Sequence, residues 1–212
     1  MSQPIDFYFD FISPYAYIGS TQIEALAARH GRTVNWRPVL IGITVMKIMG
    51  IKPLIETPLK SDYLRHDGAR MAKIYDVPFK YHGLSGINSL AACRAFLWLK
   101  PQDEQLALRF ARRIFERLWV DGLDITARED IAAEAAALGV NGHDLLVAIT
   151  SREGKQALNV AVDEAVARGV FGVPYFIADG EPIWGGDRLW MLDYWLTHGT
   201  WEGAGRAVLE NG

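Results

Sequence analysis

One stretch near the N-terminus limits what this 212-residue chain can fold into. Residues 5–18 read IDFYFDFISPYAYI, with Ile5, Phe7, Phe9 and Phe11 at every second position. An apolar residue at every second position, with aromatic rings among them, is typical of a β-strand on a pleated, half-buried surface. The stretch therefore predicts a strand at the start of the chain.

The dipeptide Ser13-Pro14 ends that strand and begins a helix. Serine is a favoured N-cap, and proline at the first helical position loses no hydrogen bond. Ser13 therefore lies where free N–H groups and the positive end of the helix dipole favour an anion, including a thiolate. Capping alone is the commoner duty of such a serine, so this stretch leaves both interpretations open.

Composition excludes several classes of function. Half of the residues are hydrophobic, as in a globular protein, and the formal net charge is −3. This net charge argues against nucleic acid or an anionic membrane surface as a partner, because either would require a basic face. No apolar run approaches a membrane span, and the N-terminus does not resemble a secretion signal. The single cysteine, Cys93, rules out a disulfide framework, so we expect a cytoplasmic protein in which Cys93 is a small buried residue.

The order of elements predicts the fold class. A helix over residues 14–30 and a strand over 33–39 follow the first strand, and the spacing from 44 to 168 is mostly helical. Thr126 and Glu129 match the T-x-x-E capping box, which predicts a helix N-terminus at that point. Strand character returns in a hairpin around Asp179-Gly180, before a last helix over 188–198.

This pattern predicts an α/β protein: a thioredoxin-like sheet with an inserted all-helical domain. We assign residues 1–42 and 153–212 to the thioredoxin-like domain and residues 43–152 to the helical insertion.

Three separated segments carry a resemblance to a known family. Residues 9–15, FDFISPY, resemble the F-D-x-x-S-P-Y segment of kappa-class glutathione transferases and bacterial 2-hydroxychromene-2-carboxylate isomerases. Residues 172–174, GVP, resemble the segment that holds the cis-proline of thioredoxin-like proteins, and residues 184–188, WGGDR, are similar to the family's G-x-D-R segment. The likeness extends over essentially the whole chain and implies the same split fold.

The resemblance implies a glutathione site. Ser13 matches the serine whose hydroxyl donates to the glutathione sulfur, and Val173 matches the residue whose backbone pairs with the cysteinyl part. Asp187 matches the position that could take the glutamyl ammonium, although simple helix capping is an equal alternative for this aspartate. The other cofactor-binding positions that the likeness implies are Pro14, Tyr15, Pro174, Trp184, Gly185, Gly186 and Arg188.

The resemblance also implies a place for a substrate. Lys47 matches a lysine beside the site, and Asn88-Ser89 match a helix start that faces the substrate in the isomerases. Their ordinary interpretations are a solvated lysine and a helix cap. Asp67 matches an aspartate near the glutathione of the transferases, where it could reach a neighbouring subunit. Ile51 departs from the pattern, because the family usually has asparagine there, and this puts the identity of the substrate in doubt.

The function that the resemblance implies is glutathione-dependent isomerisation. The enzyme would interconvert 2-hydroxychromene-2-carboxylate and its open-chain benzylidenepyruvate isomer, or a close aromatic carboxylate, in aromatic hydrocarbon degradation. The hypothesis is reversible addition of the Ser13-activated thiolate to the conjugated system. The alternatives are a kappa-type transferase and a non-catalytic thioredoxin-like binding module. Members of the family are usually dimers, so a homodimer is expected.

Two other chemistries lack the residues they need. Dithiol exchange requires a C-x-x-C pair, and residues 13–16 read SPYA. The five histidines are scattered without ligand spacing, so no metal site is expected.

Overall fold

A computed structural model describes residues 3–205, with residues 45–47 described in their backbone only. Four strands and eight α-helices make up this part of the chain. The strands are β1 (Ile5–Phe9), β2 (Val34–Pro38), β3 (Tyr175–Ala178) and β4 (Glu181–Trp184). The helices are α1 (Pro14–Arg29), α2 (Lys60–Ile74), α3 (Leu90–Leu99), α4 (Glu104–Glu116), α5 (Arg128–Ala137), α6 (Gly142–Thr150), α7 (Arg152–Ala167) and α8 (Leu189–His198). Among the described residues, no helix is both long enough and apolar enough to cross a membrane.

The four strands form one mixed sheet in the order β2-β1-β3-β4. β1 pairs in parallel with β2, and β3 lies antiparallel to both β1 and β4. The β3–β4 turn has Asp179 and Gly180 at positive φ, 54° and 87°, as the Asp-Gly signal predicts. This β-α-β then β-β-α arrangement, with helices between its halves, confirms the predicted thioredoxin-like fold with a helical insertion.

Both faces of β1 are buried, although the alternating pattern predicted one half-exposed face. Ile5, Phe7 and Phe9 lie in the main core with α1, α8 and the inserted helices. Tyr8 lies on the other face, in a second cluster with Ala165 of α7. The reversal arises because α7 returns from the insertion across the face that the sequence pattern leaves polar.

The inserted helices share the main core with the sheet. The Phe9 ring contacts the rings of Phe96 in α3 and Phe115 in α4, with centroids 5.4 and 5.7 Å apart. The indole N–H of Trp119 donates to the Phe11 carbonyl oxygen at 2.8 Å. The insertion is therefore packed directly on the end of β1, while the exact division into residues 1–42, 43–152 and 153–212 stays a prediction.

The predicted capping box at Thr126 is wrong. The helix α5 begins at Arg128, and its N-cap Ala127 makes no side-chain capping bond. The Thr126 hydroxyl instead accepts a hydrogen bond from the Asn88 N–H at 3.1 Å. A tertiary partner thus takes the oxygen that the local motif would use, and the helix starts later.

Each outer strand of the sheet carries a group that occupies or interrupts its free edge. The Lys100 ammonium donates to the Trp36 carbonyl oxygen of β2 at 2.9 Å and to the Asn35 side chain. β4 contains Pro182, which lacks an amide N–H. Both features limit further strand pairing.

A partly buried ion cluster around Asp6 stabilises the second face of β1. The Asp6 carboxylate accepts hydrogen bonds from Asn35 and Arg37, each at 2.7 Å, and from Arg168. Arg37 and Arg168 also lie over the Tyr8 ring, at 5.8 and 5.7 Å from its centroid. Burial opposes ionisation of Asp6, but the two arginines outweigh it and hold the pKa of Asp6 below its usual value.

Asp6→Asn is expected to lower the free energy of unfolding by about 2–4 kcal/mol at pH 7, because all three partners are donors and one must face the new amide N–H₂. Since the folded pKa is depressed, the contribution of Asp6 is complete above about pH 4 and is lost as the pH falls further. Urea unfolding at pH 7 and at pH 3 measures both effects.

Asp62→Asn is the matched control, because the Asp62 side chain is 73% exposed and its ion pair with Arg65 is weak. Equal stability of the two variants at pH 7, or an Asp6→Asn loss that does not shrink in acid, would contradict the prediction.

Candidate active site

Ser13 lies at the N-terminus of α1, as the sequence predicts. It is the N-cap residue: its Oγ accepts a hydrogen bond from the Ala16 N–H at 3.1 Å, and Pro14 follows at the first helical position. The hydroxyl also donates to the Val173 carbonyl oxygen at 3.4 Å. The half-buried Ser13 hydroxyl therefore faces the segment before β3, 160 residues further along the chain.

The Val173–Pro174 peptide bond is cis, as the resemblance implies. The Pro174 side chain packs against α1 at Gly19, and its carbonyl oxygen accepts from the Gly185 N–H at 3.0 Å. In the described part of the chain the Val173 N–H makes no hydrogen bond. Val173 thus presents a free backbone donor beside the start of α1.

The Gly185-Gly186 segment approaches α1 closely. A Cβ at Gly186 would lie 3.3 Å from the Tyr15 carbonyl oxygen, and Gly185 has a φ of 110°, which favours glycine. The Tyr75 hydroxyl, at the end of α2, donates to the Gly186 carbonyl oxygen at 3.3 Å. Three distant parts of the sequence therefore meet around Ser13.

The helix α2 is bound to the same end of α1. The Tyr15 hydroxyl donates to Asp67 at 2.9 Å, and Asp67 also accepts from Arg70 at 3.1 Å. Burial, and then the hydrogen bond to Asp67, raise the pKa of the Tyr15 phenol. A Cβ at Gly68 would lie 3.3 Å from the Phe79 ring and 3.7 Å from the Pro14 Cβ, so a larger residue would crowd Phe79 beside the helix start. Asp67 therefore lies beside the predicted site and is already paired within its own chain.

The rim of the site on the β4 side is aromatic and charged. The exposed Trp184 packs edge-on against Phe171, with ring centroids 4.9 Å apart, and the Arg188 guanidinium lies over its ring at 6.0 Å. Asp187 has a side chain that is 60% exposed and lies 3.5 Å from Arg188. Asp187 does not cap: the helix α8 begins at Leu189, and the short 3₁₀ turn before it has no side-chain cap. Phe171 was not predicted, because a single exposed aromatic carries no sequence signal.

The predicted substrate residues lie in different surroundings. Asn88 precedes the N-cap residue Ser89, and its side-chain oxygen accepts from the Leu90 N–H at 3.2 Å. Ser89 is buried and donates to Asp10. Lys47 belongs to a π-helical turn over Ile43–Ile48, but its side chain lies outside the described residues. Ile51 is exposed. The substrate-binding roles of Lys47, Asn88 and Ser89 stay predictions.

Sequence reasoning missed Asp10 as a residue that supports this site. It is 1% exposed, and its carboxylate accepts from the Ser89 hydroxyl and from two backbone N–H groups. Burial raises the pKa of Asp10 to about 6, although these hydrogen bonds oppose the rise. The signal that could have found Asp10 is a second carboxylate, after Asp6, at the end of the predicted strand and inside the segment 9–15 that carries the family resemblance.

Dithiol exchange lacks a second cysteine in this chain. Cys93 is buried and free, and burial raises the pKa of its thiol well above the usual range, so it is an inert core residue as expected. Within residues 3–205, no group of three His, Cys, Asp or Glu side chains could hold a metal ion. The arrangement can instead bind a peptide-like ligand at Val173 and place an anion at the Ser13 hydroxyl.

Fold and site together define a thioredoxin-fold protein in which a serine takes the place of the redox dithiol. Residues 4–197 match the family model of the DsbA-like thioredoxin domain. The chain belongs to this family, within which it is related to 2-hydroxychromene-2-carboxylate isomerases and kappa-class glutathione transferases.

Two curated relatives and one solved structure are similar to this chain. It is 30% identical over 197 residues to 2-hydroxychromene-2-carboxylate isomerase of Sphingobium xenophagum, covering 92% of this chain and 99% of that protein. It is 33% identical over 149 residues to glutathione S-transferase kappa 1 of Caenorhabditis elegans, covering 68% of this chain and 66% of that protein. The solved structure of a 2-hydroxychromene-2-carboxylate isomerase superposes with a TM-score of 0.81 at 25% identity, covering 99% of this chain and 98% of that chain.

Tyr15→Phe is expected to lower the free energy of unfolding by about 1–2 kcal/mol, because it removes a hydrogen bond to a carboxylate between α1 and α2. Thermal and urea unfolding measure the loss. Tyr63→Phe removes a hydroxyl from an exposed ring of α2 and serves as the control. A Tyr15→Phe variant no less stable than Tyr63→Phe would refute a stabilising role for the Tyr15–Asp67 bond.

Proposed function

We propose that this protein is a glutathione-dependent isomerase that interconverts 2-hydroxychromene-2-carboxylate and its trans-benzylidenepyruvate isomer, or a close aromatic carboxylate. The observation that carries the proposal is the Ser13 hydroxyl at the N-terminus of α1, 3.4 Å from the Val173 carbonyl oxygen. A hydroxyl donor and a helix N-terminus at one point favour a thiolate there.

The residues around Ser13 fit the chemistry of glutathione. The free Val173 N–H can pair with the backbone of the cysteinyl residue, as an added strand does. The exposed Asp187 carboxylate can take the glutamyl ammonium, and the Gly185-Gly186 backbone leaves space for close approach. Pro14, Tyr15, Pro174, Trp184 and Arg188 complete the proposed cofactor-binding set.

Each residue has a distinct task in the proposed reaction. Glutathione, when bound, would supply a thiolate that adds reversibly to the conjugated double bond and so permits rotation about it. The Ser13 hydroxyl would turn from the Val173 carbonyl and donate to the sulfur, which stabilises its anionic form. Lys47 and Asn88 would hold the carboxylate and the polar groups of the substrate, with Ser89 behind them.

The names of the relatives support an isomerase over the alternative. The protein from Sphingobium xenophagum is named an isomerase and matches over nearly its whole length. The kappa 1 transferase of Caenorhabditis elegans supports a second candidate, a transferase that conjugates glutathione to an electrophile, over two thirds of the chain. Glutathione is regenerated in the first reaction and consumed in the second, so the two are separable by experiment. We also propose a cytoplasmic homodimer that acts in aromatic hydrocarbon degradation.

Ser13→Ala is expected to lower kcat for conversion of 2-hydroxychromene-2-carboxylate roughly a hundredfold, because it removes a donor to the reacting sulfur. Ultraviolet absorbance follows the conversion with and without glutathione, and a thiol assay counts glutathione before and after. Thr21→Ala, whose hydroxyl bonds only within α1, should retain activity.

Glutathione that is required yet unconsumed would support the isomerase. No conversion, with glutathione consumed by a chloronitroarene, would assign the protein to the transferases. Absence of both activities would contradict the proposed function.

Asp187→Asn is expected to raise the Kd of glutathione roughly twofold to fivefold, since an exposed ion pair contributes up to about 1 kcal/mol. Calorimetric titration measures the Kd, and the difference from wild type should shrink in high salt. Asp163→Asn, exposed on α7, is the control. An unchanged Kd would remove Asp187 from the glutathione site.

A further inference from the structure

A single buried carboxylate connects three segments behind Ser13. Asp10 follows β1, and its Oδ1 accepts from the Ile12 N–H at 3.3 Å and from the Ser89 hydroxyl at 2.5 Å. Its Oδ2 accepts from the Ile41 N–H at 2.8 Å. The Asp10 carbonyl oxygen accepts from the Ser13 N–H at 3.0 Å. The turn that carries Ser13 is thus tied through Asp10 to the segment after β2 and to the start of α3.

The environment of Asp10 differs from that of Asp6. No lysine or arginine in the described part of the chain donates to Asp10, and all its donors are neutral. The titratable group that faces it is the Cys93 thiol, which burial keeps protonated. The N-terminus of α3 lies behind Ser89 and favours the ionised carboxylate. The carboxylate therefore depends on hydrogen-bond geometry and not on an ion pair.

We propose that Asp10, held by Ser89, is the positioning residue that fixes the Ser13 hydroxyl at the start of α1. The catalytic consequence rests on the proposed function, while the structural part does not. The Ile12 N–H donates to the Asp10 carboxylate, and the N–H of the next residue, Ser13, donates to the Asp10 backbone carbonyl oxygen. Loss of the carboxylate removes the first bond and keeps the second, so it would loosen the turn that aims the hydroxyl. The inserted helices would thereby set the geometry of a site that belongs to the sheet.

Two substitutions separate position from charge. In Asp10→Asn the amide N–H₂ must face a backbone N–H, of Ile12 or of Ile41, so the network cannot be fully satisfied. Ser89→Ala keeps the charge of Asp10 and removes only the hydroxyl donor. Ser20→Ala is the control, because the Ser20 hydroxyl is also buried but donates within α1, to the Tyr17 carbonyl oxygen.

The first measurement needs no glutathione. Amide hydrogen exchange of Ser13 and Ala16, followed by NMR, reports the order of the turn and the cap. We expect exchange to be roughly tenfold faster in Asp10→Asn and Ser89→Ala than in wild type, and unchanged in Ser20→Ala. Equal exchange in all four proteins would overturn the proposal. If Asp10→Asn fails to fold, the comparison of Ser89→Ala with Ser20→Ala decides.

The second measurement is the thiol pKa of bound glutathione, from thiolate absorbance against pH. Removing a negative charge would lower this pKa by electrostatics alone, whereas displacing Ser13 would raise it. For Asp10→Asn we expect the thiol pKa of bound glutathione to rise by about one unit. We also expect kcat to be roughly tenfold lower, with the KM for glutathione nearly unchanged. A fall in the pKa would overturn the positioning role. A wild-type protein that does not bind glutathione would refute the proposed function alone, because the exchange result stands independently.

Discussion

Burial of both faces of β1 is the constraint on which the rest of the structure depends. A strand in the middle of a covered sheet has no water to satisfy its side chains, so each polar group needs partners inside the protein. Asp6 meets the requirement with two arginines that also cover Tyr8. Asp10, past the end of the same strand, meets it with neutral donors. The first arrangement stabilises the fold, and the second lies directly behind the candidate site.

The sheet order explains how distant residues form one site. β1 and β3 are antiparallel neighbours, with Tyr8 opposite Tyr175. The end of β1 therefore lies beside the start of β3, and Ser13 meets Val173 at the same edge of the sheet. The turn after β4 returns to that edge through the bond from Gly185 to Pro174. The strand order thus brings the residues of the site together. The helix α2 is held beside them by the hydrogen bonds of the Tyr15 and Tyr75 hydroxyls.

Local signals predicted those parts of the fold that local physics decides. The Ser13-Pro14 cap and the Asp179-Gly180 turn were predicted correctly, because a cap and a two-residue turn depend on neighbouring residues alone. Thr126 was predicted wrongly, since its hydroxyl bonds to the distant Asn88.

The alternating pattern could not predict that the second face of β1 is buried, because polar residues at alternate positions ordinarily indicate a face exposed to solvent. Ser89 illustrates the same limit at the site. The sequence indicates a helix start but not that its hydroxyl points into the core toward Asp10. The family resemblance supplied the residues that surround Ser13, and their individual roles stay predictions.

The groups at the free edges of β2 and β4 affect how two copies of the chain can associate. Sheets of this size often extend across a two-fold axis by adding strand to strand, which turns two sheets into one. Here the Lys100 ammonium already occupies a carbonyl of β2, and Pro182 interrupts the ladder of β4. Association by a continuous intermolecular sheet is therefore disfavoured, so the described structure favours a pairing of two copies that does not use these strand edges. The same protection lowers the tendency of the sheet to seed fibrous aggregates.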